Sequence, residues 1–356
     1  MNYRDMMCSG AISVTMAFGC YSPSDPSAAG ADTDGMETED DTGESPGTSS
    51  SVPSDDTNPD DTGPEIDVVP PSILSVSPAH GETGVRAMAE IVVTFSEPMD
   101  KVATQAAYQS ADLSAGEVTM TWNSDGDELT IVPNDPLKLG EGFDPEAVDA
   151  ISYAIRINTS ARDLAGNALE EDYSFEFSTA RLILEAHPVV TERSGCVTLG
   201  GEATHAFICV GEDGNQASAH FKGFATFDIS ELPDGIIELA AEVQLHQVYV
   251  YDAPYETLGD LMLHHVEYAD MSVDYFQTAP LGEVGVLSTS PELGERKLDV
   301  SAFVWDDYES RRDTSQYRLE FELANDFDDE TDAVLFGLHA TDMVSAPRLL
   351  VLYLLH

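Results

Sequence analysis

Short segments in which apolar and polar residues alternate, each closed by turn residues, recur from about residue 73 onward and limit the choice of fold class. Ile73, Leu74 and Val76 start a strand that Pro78 ends, and Ile91, Val93 and Phe95 alternate on a second. Val118, Met120 and Trp122 alternate, NSDGDE turns, and Leu129 and Ile131 return, which is a hairpin pattern. ISYAIRI, from Ile151 through Ile157, and YSFEF, with Phe175 and Phe177, supply two more strands. Successive strand residues face opposite sides, so segments of this kind bury one face each and pack as an antiparallel sandwich. No clear helical period accompanies them, so an α/β scaffold is not expected. The predicted class is all-β.

The composition changes abruptly between residues 21 and 70. This run has no Lys or Arg, and Tyr21 is its only aromatic residue. It cannot bury enough apolar surface to offset the entropy of ordering, so residues 20–70 are expected to form a disordered acidic linker. A flexible chain of that length spans about 40 Å, more when like charges repel. Neither TDGMETEDD nor DDTNPDD matches a calcium-loop pattern.

Ahead of the linker, Met6 to Gly19 is apolar but too short to cross a bilayer, and it fits the apolar part of a secretory signal over residues 1–19. AFGC, Ala17 to Cys20, resembles a bacterial lipobox, departing from it at Phe18. That resemblance implies a lipid on Cys20 and a membrane partner reached through the anchor, with the chain in the cell envelope, facing the surface or the periplasm. The alternative is an ordinary signal cut near Gly19 and a secreted product. With 66 acidic against 15 basic residues the formal charge is −51, which disfavours nucleic acid and anionic lipid and favours cations as counter-species.

Four blocks, SVSPAHGETGV, IVVTFSEPMD, ELTIVPNDPLKLG and DLAGNALEEDYSFEFSTA, resemble in that order the bacterial Ig-like domain of the S-layer (SbsA) type. The resemblance spans residues 71–180 and implies an Ig-like β-sandwich used as a spacer or adhesive module, with no catalytic residues to transfer. GEGFDPEAVDAIS, after Leu139, is longer and more acidic than the family pattern. Asp163 and Asn167 flank Gly166 and read as a corner whose side chains bond back to the backbone; calcium through Asp163 is the alternative.

Beyond residue 180 the β pattern continues almost without a linker. Cys196 and Cys209 would pair in an oxidising compartment, a closure worth up to about 3 kcal/mol. With His205 between them they fit no common zinc spacing. FDIS with Leu232-Pro233, then LDVS at Leu298 to Ser301, then PRLLV at Pro347 to Val351 resemble the DNRLRE-type module related to carbohydrate-binding module family 96. For residues 181–356 this implies a jelly-roll β-sandwich, some of whose relatives bind acidic polysaccharide.

No basic cluster suited to uronates is evident beyond adjacent pairs such as Arg311-Arg312, so calcium bridging would be needed. Tyr249, Tyr251, Tyr255, Trp305 and Tyr308 are candidates for a sugar-stacking platform or for ordinary packing. His246, His264 and His265 invite a metal reading, but adjacent strand residues point to opposite faces, so His264 and His265 cannot share one simple site.

The chain has no G-x-S-x-G, H-E-x-x-H or phosphate-cradling G-x-x-x-x-G-K. The expectation is a non-catalytic surface lipoprotein displaying an adhesive or carbohydrate-binding module, with extracellular polysaccharide or cell-surface proteins as partners. A purely structural envelope component is the alternative. An enzyme of an undescribed β-sandwich family is a third reading.

Overall fold

A computed structural model describes residues 67–214, 220–326, 328, 330–339 and 346–356. The signal, Cys20 and nearly all of the linker lie outside the described residues.

The N-terminal unit is two four-stranded sheets face to face. One orders Ile73–Ser77, Ile91–Phe95, Glu128–Pro133 and Val118–Trp122; the other orders Glu82–Val85, Tyr173–Thr179, Ser152–Ile157 and Tyr108–Gln109. The alternating residues meet between them: Ile91, Val93, Leu129 and Ile131 from one sheet pack with Tyr153, Ile155, Phe175 and Phe177 from the other. A short helix, Lys101–Ala106, starts where the Asp100 carboxylate accepts bonds from the Val102 and Ala103 backbone N–H groups.

The C-terminal unit is a curled sandwich built on longer strands. One sheet runs Gly282–Ser288, Leu261–His265, Thr314–Phe321, His220–Asp228 and Gly195–Thr198. The other is organised on Ile236–Tyr251, a strand of 16 residues. Gly294–Asp299 occupies one edge of it from Glu242 to Gln247. Arg348–Leu355 and Ala333–Gly337 therefore lie end to end on its opposite edge, pairing with residues up to Gln244 and from Gln247 onward respectively.

Arg181–Pro188 and Phe207–Glu212 repeat this arrangement in the next row. Ala225, Phe227, Tyr317 and Leu319 of the first sheet and Val243, Leu245, Val334, Phe336 and Val351 of the second share one core. Cys196 and Cys209 are bonded, with Cα atoms 5.3 Å apart, tying a strand beside His220–Asp228 to the outer row.

The sequence expectation of short strands without helix fails at SAFVWDDYE. Ser301–Glu309 is helical, started by the Asp299 carboxylate accepting from the Ser301 N–H. Val300, Val304 and Tyr308 recur every four residues and pack on the core, a helical period hidden within a β-rich context.

The two units share a strand pairing. Thr179 ends the last strand of the first and Arg181 begins the second, with Ala180 fully buried between them. The loop after Leu139, the departure from the Ig-like pattern, forms Gly140–Gly142 and pairs in parallel with Arg181 to Ile183. The Arg181 guanidinium donates to Pro145 O at 2.6 Å and, from Nη2, to His356 O at 2.7 Å, so it bolts that loop to the chain terminus.

Candidate functional site

Tyr249 and Tyr251 lie past an irregularity in strand Ile236–Tyr251 that shifts its register between Gln247 and Tyr249. Before it Val243 and Leu245 face the core; after it Val250 does, and the tyrosines turn outward. They are 51% and 43% exposed, with ring centroids 4.6 Å apart. Tyr249 pairs with Leu335, which pairs with Cys209, so Phe207, two residues back on that strand and 43% exposed, projects from the same outer face. Phe207 is the member of this face that sequence reasoning missed, since the alternation FICV alone does not say which face is outward.

The other proposed platform residues stand elsewhere. Trp305 and Tyr308, with ring centroids 5.7 Å apart, pack from the helix onto the core. The Tyr308 hydroxyl donates to Pro233 O at 3.1 Å and accepts from the Ile236 N–H, at the opposite end of the long strand from Tyr251. Tyr255 packs edge-on against Phe321 and donates to Gln247 Oε1 at 2.6 Å. The five aromatic residues are therefore not one platform, and only Tyr249 and Tyr251 present open faces.

His264 and His265 point to opposite faces, as strand geometry requires. His264 Nε2 lies 3.0 Å from Glu320 Oε1, where Lys222 and Arg318 also converge. Burial alone would push the Glu320 carboxyl up, but bonds from His264 and Lys222 and the charges of Lys222 and Arg318 hold it down at about 2. His265 Nε2 sits 3.0 Å from both Asp307 oxygens, and Arg312 closes on Asp307 at 2.8 Å. His246 is on the long strand, apart from both, with Nδ1 buried and unpartnered. Arg311 pairs with Asp234 and Arg312 with Asp306 and Asp307, so this adjacent basic pair is already engaged.

In the first unit, Asp163 is 2% exposed and takes bonds from Asn167 N–H at 2.8 Å and Asn167 Nδ2 at 2.7 Å. Burial works against its charge, but these bonds and those from Gly166 and Ala165 outweigh it and hold the carboxyl below the ordinary range. Asp67 and Glu97 bring oxygens within 4.8 Å of it, and burial, followed by the charges of Asp67 and Asp163, raises Glu97. The corner is satisfied by its own chain.

Residues 67–179 match the family described as the bacterial Ig-like domain. That segment is an Ig-like domain. No curated protein matches the chain. Among solved structures, an L,D-transpeptidase from Mycobacterium smegmatis is similar at 11% identity, over 45% of this chain and 76% of that one, with a TM-score of 0.23. The surface layer protein SbsC, domains 1–6, is similar at 12% identity over 66% and 41%, with a TM-score of 0.21. Neither likeness is close enough to carry an activity across. No helix among the described residues is long and apolar enough to cross a membrane.

Proposed function

We propose that the chain is a non-catalytic display protein of the cell envelope, anchored through a lipid on Cys20. In this reading the Ig-like domain is a stiff spacer, and the second sandwich binds polysaccharide through the face carrying Tyr249, Tyr251 and Phe207. The observation that carries it is the Tyr249–Tyr251 pair, two large aromatic faces left open side by side where Trp305, Tyr308 and Tyr255 are packed away. Exposed aromatic rings offer apolar area with a polar tip, which suits the C–H faces and hydroxyls of sugars.

A formal charge of −51 and the engagement of Arg311 and Arg312 argue against uronates binding directly. The expected ligands are neutral glycans, with acidic ones requiring calcium as a bridge. The reading takes the His265–Asp307–Arg312 group as structural, because the His265 and Asp307 side chains are only 3% and 1% exposed.

The test is a glycan array probed with the full chain, with calcium and with chelator. Reproducible binding to neutral glycans supports the reading. Silence in both conditions supports a purely structural envelope component, and acidic-glycan binding that chelator leaves unchanged defeats the bridging clause.

A further inference from the structure

A second cluster of carboxylates lies at one end of the C-terminal sandwich, outside the aromatic face. Glu212 ends strand Phe207–Glu212, and its backbone N–H donates to Asp332 O at 2.8 Å. Gly211, just before it, is held at φ +137°, and a Cβ there would sit 2.0 Å from Asp332 O, so the two chains approach as only glycine permits. Asp332 in turn accepts from the Ala253 N–H at 2.9 Å, at the turn that follows Tyr251. Asp326 and Asp328 come from the loop leading to Asp332, in the run Asp326-x-Asp328-x-Glu330-x-Asp332. Glu212, Asp326, Asp328 and Asp332 each offer an oxygen, all within 4.8 Å of one another.

Acidic groups crowd together on many surfaces without a ligand; two features separate this cluster from those. Glu212 and Asp332 are 0% and 1% exposed. Within the cluster, Glu212 Oε1 and Asp332 Oδ2 are buried with no hydrogen-bond partner, although Glu212 Oε2 accepts from Asn325 and Asp332 Oδ1 from Ala253. A buried carboxylate oxygen without a donor is costly, and one beside three other carboxylates is costlier.

Among the described residues no Lys, Arg or His forms an ion pair with any of the four. Glu212 and Asp332 are thus buried against each other and within reach of Asp326 and Asp328. Either a proton or a cation must relieve the site.

We infer that Glu212, Asp326, Asp328 and Asp332 form a calcium site that ties Asp326, Asp328 and Asp332 to the end of strand Phe207–Glu212. The donors are all oxygen, which suits a hard cation and not zinc. Calcium takes about six to eight oxygens at flexible angles and tolerates a carboxylate-rich protein cage, whereas magnesium demands a tighter octahedron and keeps its waters. The site is independent of the sugar-binding reading, because it rests on buried charge and not on the tyrosines.

The test uses the full chain stripped with chelator and titrated calorimetrically with calcium chloride, then with magnesium chloride. The expected result is a calcium-binding event in the wild type that Glu97→Gln, in the Asp163 corner, leaves intact. Glu212→Gln and Asp332→Asn should each weaken it by at least about tenfold, since each removes one of four charged ligands. In chelator, Glu212→Gln should melt at or above the wild-type temperature, because it removes repulsion; this also shows that the variant folds. The inference is overturned if the wild type binds no calcium, if magnesium binds equally well, or if binding survives Glu212→Gln but is lost in Glu97→Gln.

Discussion

Replacing Glu320 by glutamine should cost the protein stability at neutral pH and cost it nothing near pH 2. The carboxyl sits among Lys222, His264 and Arg318 on three adjacent strands, with its side chain 18% exposed. Its pKa falls from 4.5 to about 2, a shift equivalent to ~3 kcal/mol. Because the folded value lies below the unfolded one, that stabilisation is complete above about pH 5 and drains away as pH falls toward 2. Part of it is offset, since burial lowers the Lys222 ammonium even with Glu320 opposite.

The expected loss for Glu320→Gln is therefore about 2–3 kcal/mol at pH 7, shrinking through pH 4 and vanishing at the acid end. Urea denaturation across pH 7 to 2.5, followed through Trp305 fluorescence in a Trp122→Phe background, reads the C-terminal unit by itself. A gap below ~0.5 kcal/mol at pH 7, or one that does not narrow with acid, would refute the electrostatic account.

Two further perturbations probe the frame. The Cys196–Cys209 bond closes a loop with a sequence separation of 13, so the Cys196→Ser, Cys209→Ser double variant should lose about 3 kcal/mol in the same denaturation assay, and no change would show the bond to be dispensable. Arg181→Ala removes the bonds to Pro145 O, Val148 O and His356 O, and should broaden the distribution of shapes seen by small-angle scattering while each unit stays folded. Scattering indistinguishable from wild type would place the stiffness in the strand pairing alone.

The local pattern was legible wherever one face of a strand is buried and the other wet. Ile91, Val93 and Phe95, the Val118–Ile131 hairpin, and the opposed His264 and His265 follow from the two-residue period alone. The corner at Asp163 was legible because Gly, Asp and Asn have local backbone uses that need no distant partner. What the sequence hid depends on contacts far apart in the chain.

Arg348–Leu355 and Ala333–Gly337 serve as one edge only because a single long strand lies beside both. The helix Ser301–Glu309 shows its period only once Val300, Val304 and Tyr308 are known to share a core. The carboxylate cage was invisible for a different reason: in a chain with 66 acids no acidic pair stands out, and Glu212 lies more than a hundred residues from Asp326. The acidic loop after Leu139 was visible as a departure, but not as the strand that docks on Arg181–Ile183.

The central claim, that the outward tyrosines form a polysaccharide-binding face, is tested most directly by affinity measurement on the best array ligand. Wild type and the Tyr249→Ala, Tyr251→Ala double variant are compared by calorimetry, with matched melting curves confirming the fold. Each ring should be worth roughly 1 kcal/mol or more of contact, so the double variant should bind at least about thirtyfold more weakly. Equal affinity in the two proteins would contradict the account and move the ligand to another face.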